Sequence, residues 1–418
     1  MNTYSAYKDS GEQWLGQIPA HWEIGRLANY FSERREKVSD TVFAPLSVTK
    51  NGIFPQLDNV AKSNDGENRK GVRIGDFVIN SRSDRKGSSG VSKLDGSVSL
   101  INIVLKPRKT IFPPYCDYFL KSQSFIDEFY RNGRGIVADL WTTRYSEMKL
   151  IKLAVPPLAE QEAMVAYLDE QTGIIDAAIE REQKMIDLLE ERKQIIIQNA
   201  VTKGLNPNSP MKDSGVDWIG QIPEGWQAIR MKHLIKFING YAFDSGQFTL
   251  DGDVCVIRIS NIVDGGIDYS NIVYYKADKR LEPYKSHVGD ILIAMSGATT
   301  GKAGFDFRGD AYINQRVGAI RSNNQKWIYY WMNTPLFMEY INLSAMGSAQ
   351  PNISSTGICN FRITCPPIEE QQAIVAYLDA KLVSIDKAIA AKNRVISLLQ
   401  ERKQIIINEV VTGKIKIS

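Results

Sequence analysis

Cysteine and histidine are scarce in this chain of 418 residues, which contains only four cysteines and three histidines. The cysteines form no CxxC pair, and no histidine follows them at ligand spacing, so the pattern predicts neither a zinc site nor a disulfide framework. Three dispersed histidines also leave little material for acid–base catalysis. The residues concerned are Cys116, Cys255, Cys359 and Cys365, with His21, His233 and His287.

Long hydrophobic runs are also missing. The longest, such as "AMVAYL" and "WIYYWM", reach six residues, against the roughly 20 that a membrane-spanning helix needs. The N-terminal stretch "MNTYSAYKDSGEQ" has neither a charged region nor an apolar region of a secretory signal. We therefore expect a reduced, cytoplasmic protein without a membrane span.

Charge of one sign is not in large excess, since 51 Lys and Arg oppose 47 Asp and Glu. A surplus of four is mildly basic and does not by itself indicate a nucleic-acid partner. Any anionic ligand must be held by local patches.

Three stretches imitate catalytic motifs without completing them. "SGATTGKAG" has three residues between its glycines where a phosphate-binding loop has four, and Ala303 stands where that loop needs Ser or Thr. "FPPYCDYF" has Phe112 where an amino-methyltransferase needs Asn or Asp. "NGRGIVADL" lacks the full dinucleotide fingerprint. We expect the chain to catalyse nothing by itself and to bind no cofactor or metal.

The chain is an internal duplication. "KDSGEQWLGQIPAHW" at Lys8 returns as "KDSGVDWIGQIPEGW" at Lys212, and the segment beginning at Pro156 returns at Pro366. Without gaps, 26 of the 48 positions from Pro156 to Lys203 are identical in the second copy. The regions between these repeats diverge, although similar features follow in the same order.

The repeated segment predicts a long helix, about 42 residues and on the order of 60 Å from Glu160 to Val201. Apolar residues recur at heptad-like spacings in both copies. Two such helices in one chain predict an intramolecular coiled coil, antiparallel if a pseudo-twofold axis relates the halves. The alternative is that each helix packs only on its own domain. The recurring residues are Leu168, Ile175, Ile179, Ile186, Leu189 and Ile196, and then Leu378, Ile385, Ile389, Ile396, Leu399 and Ile406.

The diverged regions predict two mixed α/β modules, which makes the whole chain α+β. "GDFVIN", "GDILIAM", "SLINIVLK" and "VCVIRISNI" are typical of strands, and the aromatic stretches after Pro113 and Trp327 are typical of short helices. We predict four segments: a first module at 1–155, a long helix at 156–204, a linker and second module at 205–365, and a second long helix at 366–418.

Polar and cationic residues gather at matched loops of the two modules. Arginine can pair with guanine and asparagine with adenine, while lysine and serine suit phosphates, so these loops together favour DNA as the ligand. The candidates in the first module are Lys50, Asn51, Asn80, Arg82, Arg85, Lys86, Ser88, Arg134, Arg144 and Tyr145. Those in the second are Arg258, Asn261, Ser296, Thr299, Thr300, Lys302, Asn314, Gln315, Arg316, Ser348, Gln350 and Asn352.

The whole chain resembles the specificity subunit of type I restriction-modification systems. The resemblance is carried by "WLGQIPAHW" and "WIGQIPEGW", "PPLAEQ" and "PPIEEQ", and "LLEERKQIIIQNAVTKG" and "LLQERKQIIINEVVTGK", together with "GDIL" and "GSAQPNIS" in the second module. At the corresponding place the first module departs from this pattern with "GRGIVADLWTTRY".

The resemblance implies two target-recognition domains held apart by an antiparallel helix pair. Each domain would recognise one half of a bipartite site in double-stranded DNA, with the helices fixing the gap. It also implies two methyltransferase subunits and restriction-translocase subunits as partners. S-adenosylmethionine, ATP and magnesium would then be bound by those partners.

Two other functions fit parts of the pattern. A non-enzymatic scaffold, with two protein-binding modules on a coiled coil, is compatible with the slight basicity. Sequence-selective, salt-sensitive DNA binding would exclude it. A stand-alone nuclease or methyltransferase is disfavoured by the incomplete motifs, and inactivity of the purified chain would exclude it.

Overall fold

The computed structural model describes residues 3–56, 66–135, 141–345 and 351–417. Contacts divide the chain into two compact units. The first unit contains residues 1–183 and 393–418, and the second contains residues 184–392. Each unit therefore includes one diverged module and a part of both long helices. The predicted division into four segments stays a prediction.

The first half of the chain contains short strands, short helices and one long helix. The strands are β1 Tyr7–Asp9, β2 Gln17–Pro19, β3 Glu23–Arg26, β4 Phe31–Glu33, β5 Lys37–Val38, β6 Leu46–Thr49, β7 Gly52–Pro55, β8 Arg69–Val72, β9 Phe77–Asn80, β10 Ser89–Val91, β11 Gly96–Val98, β12 Asn102–Pro107 and β13 Lys152–Val155. The helices are α1 Leu27–Tyr30, α2 Pro113–Phe119, α3 Gln123–Arg131, α4 Tyr145–Met148 and α5 Leu158–Lys203.

The second half follows the same plan. Its strands are β14 Met211–Asp213, β15 Gln221–Pro223, β16 Gln227–Arg230, β17 Ile235–Asn239, β18 Val254–Ile257, β19 Ile262–Val263, β20 Gly266–Ile267, β21 Val273–Tyr275, β22 Ile291–Ala294, β23 Ala303–Phe305, β24 Tyr312–Ile313, β25 Val317–Ser322 and β26 Arg362–Cys365. Its helices are α6 Gln325–Met332, α7 Pro335–Ala345, α8 Ser355–Asn360 and α9 Ile368–Val411.

The predicted strands and helices are found where the sequence places them. "GDFVIN" forms β9 and "GDILIAM" forms β22, and the aromatic stretches form α2, α3, α6 and α7. Two long helices, of 46 and 44 residues, occupy the repeated segment. The mixed helix and strand content agrees with the predicted α+β class.

The main sheets of the two units are built alike. In the first, β10, β9, β12 and β4 pair in that order, and in the second β23, β22, β25 and β17 do so. Leu105 of β12 pairs with Glu33 on one side and Phe77 on the other. Ile320 of β25 pairs likewise with Phe237 and Ile291. Glu33 and Phe237 therefore occupy corresponding positions. Arg35 and Asn239, each two residues later in the chain, correspond as well.

The duplicated tryptophans close the core of each unit. Trp22 and Trp226 are buried, and each indole N–H donates to a glutamate near the start of a long helix. Trp22 Nε1 lies 3.2 Å from Glu160 Oε1, and Trp226 Nε1 lies 2.9 Å from Glu370 Oε2. The same tryptophan–glutamate hydrogen bond therefore joins each module to its long helix, although the two residues are 138 positions apart in the first copy and 144 in the second.

The long helices contact each other within both units. Ile175, Leu399 and Ile406 belong to one hydrophobic cluster in the first unit, and Ile196, Ile385 and Ile389 belong to one in the second. Lys403 Nζ lies 2.7 Å from both carboxylate oxygens of Asp176 in the first unit. Lys193 Nζ lies 2.6 Å from Asp386 Oδ1 in the second. The heptad-like positions are thus buried or half-buried, and the helices do not pack on their own modules alone.

Candidate nucleic-acid interface

The loop after β9 presents two cations from a firmly anchored base. The backbone N–H of Arg82 donates to Asn80 Oδ1 at 3.0 Å. The Tyr130 hydroxyl donates to the carbonyl oxygens of Asn80 at 2.9 Å and Arg85 at 3.4 Å. Burial raises the pKa of Tyr130 to about 12, so the hydroxyl remains a donor at neutral pH. Arg85 and Lys86 are exposed at the outer side of this loop.

The cations of this loop differ in their partners. Arg82 Nε lies 3.2 Å from Asp84, and Lys86 Nζ lies 2.6 Å from Asp127. Among the described residues, no ion pair holds the Arg85 side chain. Ser88 is buried at the inner end of the loop. Arg85 is therefore the residue of this loop best placed to meet a ligand.

Three predicted residues of the first unit lie around one cavity of about 740 Å³. Lys50 and Asn51 are exposed at the tip between β6 and β7, and Lys86 comes from the loop after β9. Lys121 and Lys403 also line this cavity. The sequence analysis identified neither lysine. Lys403 comes from the far end of the chain, and no sequence spacing connects it to the loops.

Arg144 and Tyr145 line a second cavity of the first unit, of about 410 Å³. This cavity is also lined by Arg35 from the turn after β4, Lys37 from β5 and Lys70 from β8. These three cations escaped sequence reasoning, since they are dispersed over 36 residues and meet only when β5 and β8 pair. Arg134 is exposed and its backbone pairs with Thr142 outside this cavity.

In the second unit, residues from two distant stretches meet. Gln315 and Arg316, in the turn before β25, line a cavity of about 470 Å³ together with Asn352. All three side chains are exposed. Asn239 and Ser354 are also in its wall. Asn314 precedes them, and its backbone N–H donates to Ile257 O at 3.0 Å.

The stretch that imitates a phosphate loop is a turn between antiparallel strands β22 and β23. Gly297 and Gly301 have φ of 79° and 88°, which glycine adopts without strain. Thr300 is buried, and its hydroxyl donates to Gly297 O at 2.7 Å and Pro351 O at 3.1 Å. No helix follows the turn directly, so the backbone arrangement of a phosphate-binding loop is not formed.

The other predicted residues of this turn have different surroundings. Thr299 is half-buried. Ser296 is half-buried as well, and its backbone pairs with that of Asn352. Lys302 is exposed and lies 3.6 Å from Asp264. The turn therefore connects the exposed Asn352 to the edge of the main sheet.

Arg258 and Asn261 are engaged inside the second unit. Asn261 is 2% exposed; its Oδ1 accepts from the Arg258 backbone N–H at 3.0 Å, and its Nδ2 donates to Asp268 O at 3.1 Å. Arg258 Nη2 donates to Asn271 O at 3.0 Å. Both residues thus shape a turn. Ser348 and Gln350 lie outside the described residues.

Within the described ranges, no group of three or more His, Cys, Asp and Glu side chains could hold a metal ion. None of the helices in that same part of the chain is long and apolar enough to cross a membrane.

Comparison with known proteins gives one family. Residues 223–396 match the family model described as the type I restriction modification DNA specificity domain. The specificity subunit of the type I restriction enzyme MjaVIII of Methanocaldococcus jannaschii is 25% identical over 96% of this chain and 94% of its own length. The putative MjaX specificity subunit of the same organism is 23% identical over 96% of both.

A solved structure from a study of complex assembly and conformational transition of the type I restriction-modification system has the same fold. It superposes with a TM-score of 0.69 at 18% sequence identity, over 95% of this chain and 99% of its own. With the matched domain at residues 223–396 and the relatives covered over nearly their full length, the chain is similar to the specificity subunits of type I restriction-modification systems, and it has the fold of this solved structure.

Proposed function

We propose that this chain, a non-catalytic subunit by its family, supplies the DNA sequence specificity of a type I restriction-modification complex. Each module would recognise one half of a bipartite site in double-stranded DNA. The observation that carries this proposal is that two units with main sheets built alike each present exposed cationic or amide side chains around a cavity. Because the residues differ between the copies, the two half-sites would differ in sequence.

The exposed candidates have side chains whose chemistry suits contacts with DNA bases or phosphates. Arg85 can donate to guanine O6 and N7, and Gln315 or Asn352 can bond an adenine edge in two places. Asn51 has the same amide chemistry. Lys50, Lys86 and Lys302 are better suited to phosphates, since an ammonium group offers charge without a fixed geometry.

The buried candidates have a different proposed role. Asn80 and Asn261 each use a side-chain oxygen to accept a backbone N–H of their own loop, and Thr300 ties two turns together. Ser88 is buried at the end of the loop that carries Arg85. These four residues would orient the contacting side chains rather than touch DNA.

The long helices would form an intramolecular antiparallel coiled coil related by a pseudo-twofold axis. A helix of 46 residues is about 69 Å long at 1.5 Å per residue. Half-sites one turn of DNA apart are separated by about 34 Å. The pair is thus long enough to set the spacing between two recognition modules, at 1–155 and 205–365, that it would separate.

Apolar side chains left exposed on the helices recur in both copies. Met185, Leu188 and Ile195 on α5 are each at least 44% exposed. Val395, Leu398 and Ile405 occupy the same places on α9, 210 residues later, and are each at least 42% exposed. Two similar apolar surfaces suit two copies of one methyltransferase subunit.

Cofactor chemistry would belong to the partners. S-adenosylmethionine would be bound by the methyltransferase subunits, and ATP with magnesium by restriction-translocase subunits. The assembly would act where the DNA lies, in the cytoplasm.

Selection from a random duplex library tests the proposal. The full-length chain, co-expressed with its methyltransferase partner, should enrich a two-part motif with a fixed gap, and affinity should fall steeply as salt rises. Binding that is absent, or equal for all sequences, would contradict it and favour the protein-interaction scaffold.

A further inference from the structure

The two modules have a cavity at the same place in the fold, but with different chemistry. Arg35 corresponds to Asn239 by strand register, and each lines its cavity. Arg144 and Ser354 lie 210 residues apart, and each directly precedes a short helix, α4 or α8. Both also line these cavities. The wall of the first cavity therefore has cations at two positions where the second has neutral polar groups.

The first cavity carries a clear excess of positive charge. Arg35, Lys37, Lys70 and Arg144 face a single carboxylate, that of Glu33, which leaves a surplus of three charges. Arg35 Nε lies 2.6 Å from Glu33 Oε2, yet 78% of the Arg35 side chain is exposed. The described wall of the second cavity holds one cation, Arg316, and no carboxylate.

Lys70 is the inner member of the group. Its ammonium donates to Asn102 O at 2.7 Å and lies 3.7 Å from Glu33, with 18% of the side chain exposed. Burial lowers the pKa of Lys70, but the Glu33 carboxylate opposes this shift. The outer cations, Arg35, Lys37 and Arg144, are exposed. They are the ones available to a ligand.

We propose, on the basis of the proposed DNA-specificity function, that this first cavity is a phosphate-contacting site for the DNA backbone. Guanidinium and ammonium groups around one carboxylate suit phosphate oxygens, and such contacts strengthen binding without distinguishing bases. The corresponding cavity of the second module, lined by Asn239, Gln315 and Asn352, offers amides that discriminate base edges. The first module thus supplies more of the salt-dependent binding, and the second relies on base contacts at this place.

Salt titration of DNA binding by the full-length chain with its methyltransferase partner tests this assignment. The triple variant R35A/K37A/R144A should weaken binding to the cognate duplex at least about tenfold. It should also reduce the slope of log affinity against log salt by about 3, roughly 1 for each phosphate that no longer meets a cation. Preference among bases at both half-sites should be unchanged.

Two matched variants control the measurement. K93A/K109A/K416A removes the same charge from exposed lysines outside the cavity and should keep most of the slope. Q315A/N352A, in the second module, should lose base preference at one half-site and leave the slope nearly unchanged. A triple variant with an unchanged slope, or with altered base preference, overturns the assignment. If the unmodified complex shows no sequence preference at all, the proposed function fails first.

Discussion

Lys193 on α5 lies 2.6 Å from Asp386 on α9, and the same contact is made a second time with the helices exchanged. Lys403 on α9 lies 2.7 Å from Asp176 on α5. Each residue of the first pair has its repeat counterpart, 210 residues away, in the second. Moreover, 17 residues separate Asp176 from Lys193 and likewise Asp386 from Lys403. Both pairs therefore fit the antiparallel pairing of the long helices proposed above.

Reversing one charge of these pairs should destabilise the chain. Lys403→Glu places a second carboxylate beside Asp176. We expect the free energy of unfolding to fall by only about 0.5–1 kcal/mol, because both side chains remain partly exposed to water. The double variant Asp176→Lys, Lys403→Glu should recover most of it. Thermal unfolding checks this, with Lys387→Glu on the exposed surface of α9 as the control. A double variant no more stable than the single one would contradict the pairing.

Removing the hydrogen-bond acceptor of the buried Trp226 indole should lower the free energy of unfolding more than reversing a charge of the ion pair. Glu370→Ala leaves the N–H of Trp226, which is 1% exposed, without its acceptor, and we expect a loss of about 1–3 kcal/mol. Glu369→Ala removes the same charge from an exposed neighbour on the same helix and should change stability by less than about 0.5 kcal/mol. Urea unfolding distinguishes the two. Equal losses would mean that the charge, and not the hydrogen bond, matters.

Arg85→Ala should weaken recognition of one half-site only. The arginine is exposed on the loop after β9, and removing a pair of hydrogen bonds to one base typically costs about 1–3 kcal/mol. Competition between duplexes altered in one half-site measures this. A uniform decrease in affinity across all sequences would indicate that Arg85 binds a phosphate instead.

Tyr130→Phe tests whether the loop must be held in place. The change removes the hydroxyl that donates to Asn80 O and Arg85 O, while the ring can stay packed in the core. We expect reduced discrimination at the half-site that Arg85→Ala affects, with little change in the salt slope. Arg85→Ala combined with Tyr130→Phe should add little to Arg85→Ala alone. Additive effects would argue for two independent roles.

Sequence periodicity was sufficient to predict the long helices and the main strands. Ile175 and Ile385, like the other heptad-like residues, occupy the inner side of a helix pair, because a stripe repeated twice can bury itself. The aromatic runs became α2 and α6 since their rings fill each core. Local pattern and tertiary packing agree at these places.

The charged interior could not be predicted in the same way. Asp76 and Asp290 occupy the same "GD" position, and both are buried against an arginine. The partner is Arg34, after β4, in the first unit but Arg321, in β25, in the second. The position of the aspartate is set locally, before β9 or β22, whereas its partner lies in the adjacent strand β25 in the second unit and after β4, one strand further away, in the first. Pairing of strands also assembled Arg35, Lys37 and Lys70, which no local spacing connects.

The proposed ruler is tested by shortening both helices together. Deleting residues 186–192 with 387–393, which oppose each other in the register of the two ion pairs, removes about 10 Å or about 3 base pairs. We expect the recognised gap to shorten with both half-sites unchanged. Deleting one segment alone should disrupt the pairing and lower stability. A double deletion that retains the original gap would contradict the ruler.

Modified-base sequencing of the source genome, with and without this gene, tests the central claim most directly. We expect a bipartite methyl-adenine motif that disappears on deletion of the gene and returns when it is restored. Restoration with Arg85→Ala should alter one half of the motif. A methylome that does not change on deletion, in cells that express the chain and its methyltransferase partner, would contradict the assignment of DNA specificity to this chain.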